Sequence, residues 1–334
     1  MRLDYVVKRF ANLLLVVFLA ITLNFILPRL TPGDPVEQKL NQLVATSGGQ
    51  VGDVSAMIAS YRAKFGLDQP VWKQYLNYWS DLLHLDLGYS LDRYPERVSA
   101  TIKSALPWTI GLVGVSTLIA FVIGTFLGAL LGWPRVPRLL KGLIPTFMVV
   151  SAIPYFLLGI LLLFVFAIVL KVLPAGGGYP FGMIPRLDWA TATTILRHAT
   201  LPGASIILAG IGAWALTMRG MMIGTLGEDY ITLAEAKGLK QRRIFAWYAM
   251  RNGLLPQITV LALTLSHVVA GTILVEVMFA YPGIGFKLFQ AVGAKDYFVI
   301  QGIVLMIVLS IAVVLFILDL IYPLIDPRIV YERR

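Results

Sequence analysis

Three ionisable side chains lie inside long apolar runs: His267 and Glu276 within Leu254–Phe279, and Asp319 within Ile300–Pro323. Such groups are costly in hydrocarbon unless they pair, face water or pass protons, so they could line a solute path, relay protons or hold structural bonds. His267 and Glu276 are nine residues apart, about two and a half helical turns, and fall on roughly opposite faces, so they are not expected to pair. For Glu276, near the outer mouth, a structural hydrogen bond is the first expectation and lining of a translocation path the second. Asp319, near an inner helix end, is expected to meet a basic residue, and His267 can equally bond a neighbouring helix. Bond-making chemistry has no support in the sequence. It contains no Gly-x-x-x-x-Gly-Lys-Ser/Thr phosphate loop, no His-Glu-x-x-His, no Gly-x-Ser-x-Gly and no cysteine. No catalytic, cofactor-binding or metal-binding residues are expected in this chain.

The elements that carry these residues are membrane helices. The chain is 58% hydrophobic and 14% charged with a mean hydropathy of +0.79, which leaves too little polar surface for a soluble globule. Apolar runs of bilayer length predict six spans: Phe10–Leu30, Trp108–Trp133, Leu143–Leu170, Leu201–Ile223, Leu254–Phe279 and Ile300–Pro323. The first reads as a retained signal anchor, because it lacks an Ala-x-Ala cleavage site. Basic residues concentrate at Arg2, Lys8 and Arg9, at Arg135, Arg138 and Lys141, between the fourth and fifth spans, and at Arg328, Arg333 and Arg334. This asymmetry predicts cytosolic termini and accounts for the net charge of +10 without nucleic acid. Gly124, Gly128 and Gly132 recur at four-residue spacing and predict a close helix–helix contact within the subunit or at a dimer seam.

The predicted organisation is an N-terminal segment and first span over 1–30, an external helical insertion over 31–105, a five-helix core over 106–325 with a cytosolic loop at 224–253, and a tail over 326–334. In the insertion, Pro32-Gly-Asp-Pro35 turns the chain out of the first span and helices are predicted near Val54–Phe65 and around Trp72, Tyr75, Leu76, Trp79, Leu82 and Leu83. The second has Lys73, Gln74, Asn77 and Asp81 on its other side, so it can sit at the outer bilayer interface or cap a pore, and a packing role is the first expectation.

The charged stretch from Gly227 to Pro256 interrupts the apolar pattern on the cytosolic side. Its small residues, Ala234 and Ala236, allow close approach of a partner, Gly238 lets the chain leave a short helix sharply, and Pro256 should stop the returning backbone. Glu228, Asp229 and Glu235 can pair with basic groups, and Asp229 is placed to cap the helix. The run Asp229-Tyr230, Ala234-Glu235-Ala236-Lys237-Gly238-Leu239, Arg251-Asn252 and Leu255-Pro256 resembles the coupling loop of ATP-binding-cassette (ABC) importer permeases of the dipeptide, oligopeptide and nickel branch. The resemblance extends through Gly66-Leu-Asp-Gln-Pro70, Asp86-Leu-Gly88 with Ser90, Ile153-Pro154, Tyr281-Pro-Gly-Ile-Gly285, Asp296-Tyr297 and Asp326-Pro-Arg328; it departs at Leu85, where the family often has glycine.

That resemblance implies an all-α membrane protein with the six-helix type I ABC importer permease fold in a prokaryotic inner membrane. It also implies a second, homologous permease subunit, two ATPase subunits that bind ATP and Mg, and an external solute-binding protein. Glu228 to Tyr230 and Ala234 to Gly238 would couple to the ATPases. Glu276 and His267 remain candidates for the path, and alternating access is the implied mechanism. The cargo expectation spans peptides and oligosaccharides, the latter from Ser151-Ala-Ile-Pro-Tyr155, Gly212-Ala-Trp214 and Leu255-Pro-Gln-Ile-Thr259; one histidine in the spans and no cysteine speak against nickel. The alternative from a different class is a proton-coupled secondary transporter using Glu276, His267 and Asp319.

Overall fold

The computed structural model describes residues 3–30, 36–37, 54–268 and 272–325. The Pro32-Gly-Asp-Pro35 turn, the glycines 48, 49 and 52, and the Asp326-Pro-Arg328 tail lie outside the described residues. The helices are α1 (Leu3–Leu30), α2 (Val54–Lys64), α3 (Val71–Leu83), α4 (Val98–Thr109), α5 (Val115–Gly132), α6 (Arg138–Lys141), α7 (Leu143–Ala152), α8 (Tyr155–Leu162), α9 (Trp189–Leu226), α10 (Asp229–Ala236), α11 (Gln241–Arg243), α12 (Arg251–Ser266), α13 (Ile273–Met278), α14 (Ile284–Gly293) and α15 (Tyr297–Ile325). Wider π-turns join α4 to α5, extend α8 and join α11 to α12. Among the described residues there is no strand, only one isolated bridge between Tyr89 and Arg97.

Among the described residues, four helical runs are long and apolar enough to cross a bilayer: Asp4–Leu30, Val98–Gly132, Trp189–Leu226 and Tyr297–Ile321. They correspond to the first, second, fourth and sixth predicted spans and overrun them, because hydrogen bonding continues where hydrophobicity stops; α9, at 38 residues, is about 57 Å long against a hydrocarbon core of about 30 Å. The third predicted span is two helices bent by 97°. Pro154 lacks an N–H and forces the preceding Ile153 into an extended conformation (φ −84°, ψ 123°), so the helix cannot pass through. The fifth predicted span is α12 followed by the short α13, on either side of residues outside the description.

The chain forms two compact units, Met1–Pro107 with Gly283–Arg334, and Trp108–Pro282. In the first, α1 and α15 run antiparallel. Asn24 and Gln301 exchange side chain to backbone hydrogen bonds of 2.9 Å in both directions, Phe10 meets Phe316, and at the other end Arg9 pairs with Asp319 at 3.1 Å. The basic partner expected for Asp319 is therefore Arg9. A core of Val98, Ile102, Ala105, Ile284, Ala291, Val299 and Ile303 packs α4, α14 and α15 together. Asp296 is buried at the start of α15, where its carboxylate accepts from Ser90 Oγ and from the backbone N–H of Asp92 and Val299. This ties the Asp86-Leu-Gly88 to Ser90 segment to the last helix.

In the second unit α5 lies against α9. A Cβ on Gly124 would sit 2.6 Å from Trp214 Cβ, one on Gly132 2.6 Å from Met222 Cβ, and one on Gly128 would collide with the backbone of Ala215. The predicted glycine face thus serves packing inside the subunit. Asp188 caps α9, accepting from the Thr191 N–H at 2.7 Å, and this backbone bond holds its carboxyl below the ordinary range.

Candidate functional site

The charged segment after α9 is a helix with a defined seat and a defined free side. Glu228, in an extended conformation, precedes the first turn of α10 without a capping side-chain bond, and Asp229 is the first helical residue. The cap expected from Asp229 is therefore not made: it lies one position too far in to reach back over the first free N–H groups, and its charge acts only on the helix dipole. At the other end Gly238 has φ +69°. Its N–H reaches Glu235 O at 2.9 Å, and the Leu239 N–H reaches Ala234 O at 3.3 Å. These two bonds form a Schellman closure with Gly238 at the left-handed position, the sharp exit expected of that glycine.

Ile231 and Ala234 are each 3% exposed and pack with Ile244, Ala249, Met218, Met222 and Ala129, joined by the partly buried Leu239. Ala234 was expected to offer close approach to a partner. The structure corrects this: spacing of three from Ile231 turns it inward, and its small side chain lets α10 settle on the 244–250 turn of its own chain. The free side carries Glu228, Asp229, Tyr230, Leu233, Glu235, Ala236, Lys237 and Gly238, all exposed. Among the described residues none of these charged groups makes an ion pair. Leu233, 56% exposed, is an apolar residue of this side that the motif had not singled out.

A further link lies across the segment. Asn252 Nδ2 donates to Tyr230 Oη at 3.0 Å and to Tyr248 O at 2.9 Å, bracing the entry of α10 against the return into α12. Both residues belong to the sequence motif, but their 22-residue separation hides the contact. Pro256 does not stop the returning backbone, contrary to expectation; it sits inside α12, after the π-turn 244–250. A proline removes one internal hydrogen bond without ending a helix whose flanking turns remain held by packing.

Of the two path candidates of the second unit, His267 ends α12 and Glu276 lies in the separate helix α13, so the continuous helix assumed for their spacing is not present. Glu276 is fully buried and accepts from Thr109 Oγ1 at 2.8 Å, the structural bond expected first. His267 is exposed and borders a cavity of about 350 Å3 with Thr117, Tyr155, Trp214, Thr264 and Thr272. The hydroxyl of Thr272 is buried there without a hydrogen bond among the described residues. Among the described residues no cluster of His, Cys, Asp and Glu is suited to hold a metal.

Comparison with known proteins gives the same direction. The profile of the family described as "Binding-protein-dependent transport system inner membrane component" matches residues 104–331. A peptide permease protein of Brucella suis is 36% identical, covering 93% of this chain and 94% of the relative. The di/tripeptide transport system permease protein DppB of Pseudomonas aeruginosa is 30% identical over 99% of this chain and 100% of the relative. The dipeptide transport system permease protein DppB of Bacillus subtilis is 29% identical over 99% of both. With helices of membrane length and these full-length relatives, the chain belongs to the binding-protein-dependent transport system inner membrane components, as an ABC importer permease of the dipeptide and oligopeptide type.

Proposed function

We propose that this chain is one of two homologous permease subunits of an ATP-driven importer that takes peptides from an external solute-binding protein and passes them into the cytoplasm by alternating access. The free side of α10 carries this reading: exposed acidic, basic and apolar residues sit on a helix whose opposite side and C-terminus are fixed, the form needed to transmit a push from a docked body. Two ATPase subunits, which bind the ATP and Mg, would grip Glu228, Asp229, Leu233, Glu235, Ala236 and Lys237. Both termini would then be cytosolic in the inner membrane. Peptide cargo is favoured by the names of the relatives; the oligosaccharide expectation has no support among them. His267, beside the cavity of the second unit, is the side chain offered to cargo, while Glu276 is held by Thr109.

The proton-coupled alternative loses its relay at two points, since Asp319 is paired with Arg9 and Glu276 is enclosed. Reconstituted vesicles containing the co-purified subunits decide between the two. Peptide uptake should require internal-facing ATP and fall to background in Glu235→Arg, with the permease still folded and inserted. Uptake driven by a proton gradient with no ATP would sink the proposal.

A further inference from the structure

Helix α3 lies beside α1, and its contacts define a direction. Gln74 accepts from Arg29 Nη2 at 2.8 Å and Tyr78 rests against Phe25; Tyr75 meets Thr22 at 2.8 Å and Trp79 stacks on Phe18 with ring centroids 5.9 Å apart. On both rows, four residues forward along α3 goes with four residues back along α1. The two helices are antiparallel, with aromatic rings as spacers, and α3 descends from the outer end of α1 rather than lying across it.

The depth follows from helix rise. Phe18 is eleven residues before Arg29, about 16 Å at 1.5 Å per residue, and stands near the middle of the apolar stretch Phe10–Pro28. A hydrocarbon core is about 30 Å thick, so Trp79 reaches close to its midplane and the last turn of α3 goes on from there.

The sides of α3 are sorted to match. Its polar residues Gln74, Asn77 and Asp81 border a cavity of about 270 Å3 that also holds Arg29, Lys64 and Asp86. On the other flank Trp72, Leu76 and Leu83 are 66%, 57% and 78% exposed, and Leu85 just beyond the helix is 86% exposed. This flank continues through the Trp79–Phe18 stack onto the exposed apolar side of α1, with Leu14, Leu15, Phe18 and Leu19. A surface continuous with that of a membrane-spanning helix has the same solvent.

We propose that α3 and the return to Ser90 form a re-entrant hairpin in the outer leaflet, its Trp72–Leu76–Leu83–Leu85 flank covered by lipid acyl chains and its polar flank facing a hydrated recess open to the outside. The external insertion is then partly a membrane element, which widens the subunit's lipid contact beside α1.

The absence of cysteine makes the test direct. Single nitroxide labels are placed at Trp72→Cys, Leu76→Cys and Leu83→Cys, with Lys73→Cys on the polar side as reference. The full-length protein, with the subunits that co-purify, is reconstituted in phosphatidylethanolamine–phosphatidylglycerol vesicles. Collision of each label with oxygen, which concentrates in lipid, is compared with collision with a water-soluble nickel chelate. Leu83 should lose chelate access and gain oxygen access relative to Lys73, with depth increasing from Trp72 through Leu76 to Leu83 by up to about 16 Å, the rise of eleven helical residues. A Leu83 label as open to the chelate as Lys73 places α3 in water and overturns the proposal. A label reached by neither reagent shows protein, such as a second permease subunit, on this flank and overturns it as well.

Discussion

Leu85 holds a left-handed backbone conformation that favours glycine, with φ +57°. The left-handed region costs a branched L-residue roughly 1–2 kcal/mol, and an 86% exposed side chain has little protein packing to lose, so the strain relieved is set only against the acyl-chain contact proposed for this flank. Leu85→Gly should therefore stabilise the protein by about 1 kcal/mol, read as slower hydrogen exchange of residues 81–88. Unchanged or faster exchange there argues against strain at this turn. The opposite sign is expected at Asp296, whose buried carboxylate satisfies one hydroxyl and two backbone N–H groups. Asp296→Ala leaves those donors without a partner and should cost about 2–3 kcal/mol, measured as a drop in thermal midpoint in detergent. At this scale the sequence was partly legible. The Leu85 departure and the need of Asp319 for a cation could be read directly, because each concerns one residue against a known solvent. That the cation is Arg9, or that Tyr230 binds Asn252, depends on pairings between distant segments.

Among the elements, the contact of α5 with α9 is the most tightly specified. Alanine normally improves a helix over glycine by about 1 kcal/mol. At Gly128, however, the added carbon would meet the Ala215 backbone, which cannot rotate away. Gly128→Ala should lower stability by about 1–3 kcal/mol in spite of its propensity, and a thermal midpoint at or above that of the unchanged protein would contradict the close approach. Four-residue glycine spacing made this face readable, since it needs only one helix. The 97° bend at Pro154 was foreshadowed by the proline but hidden by the uninterrupted hydrophobicity around it. The inward turn of Ala234 was legible in principle from its spacing to Ile231; what concealed it was the seat itself, a π-turn at 244–250 that apolar periodicity does not announce. The descent of α3 beside α1 likewise rests on the aromatic pairs Phe18–Trp79 and Phe25–Tyr78, each more than 50 residues apart, so amphipathicity alone could give its sides but not its tilt.

At the scale of the molecule, hydropathy foretold the membrane and the helices, and the family profile places the chain among importer permeases. The mechanical claim is that α10 is a handle: Ile231, Ala234 and Leu239 hold it to the permease, Gly238 closes it, and its other side is left for a second protein. The most direct measurement uses the missing cysteine again. Ala236→Cys is placed on the free side of the handle and reacted with a membrane-impermeant maleimide in inside-out vesicles, with and without the ATPase subunits bound. The account predicts rapid labelling of the permease alone and loss of labelling once the ATPases are seated. Equal labelling in both states, with the ATPases demonstrably bound, would contradict it.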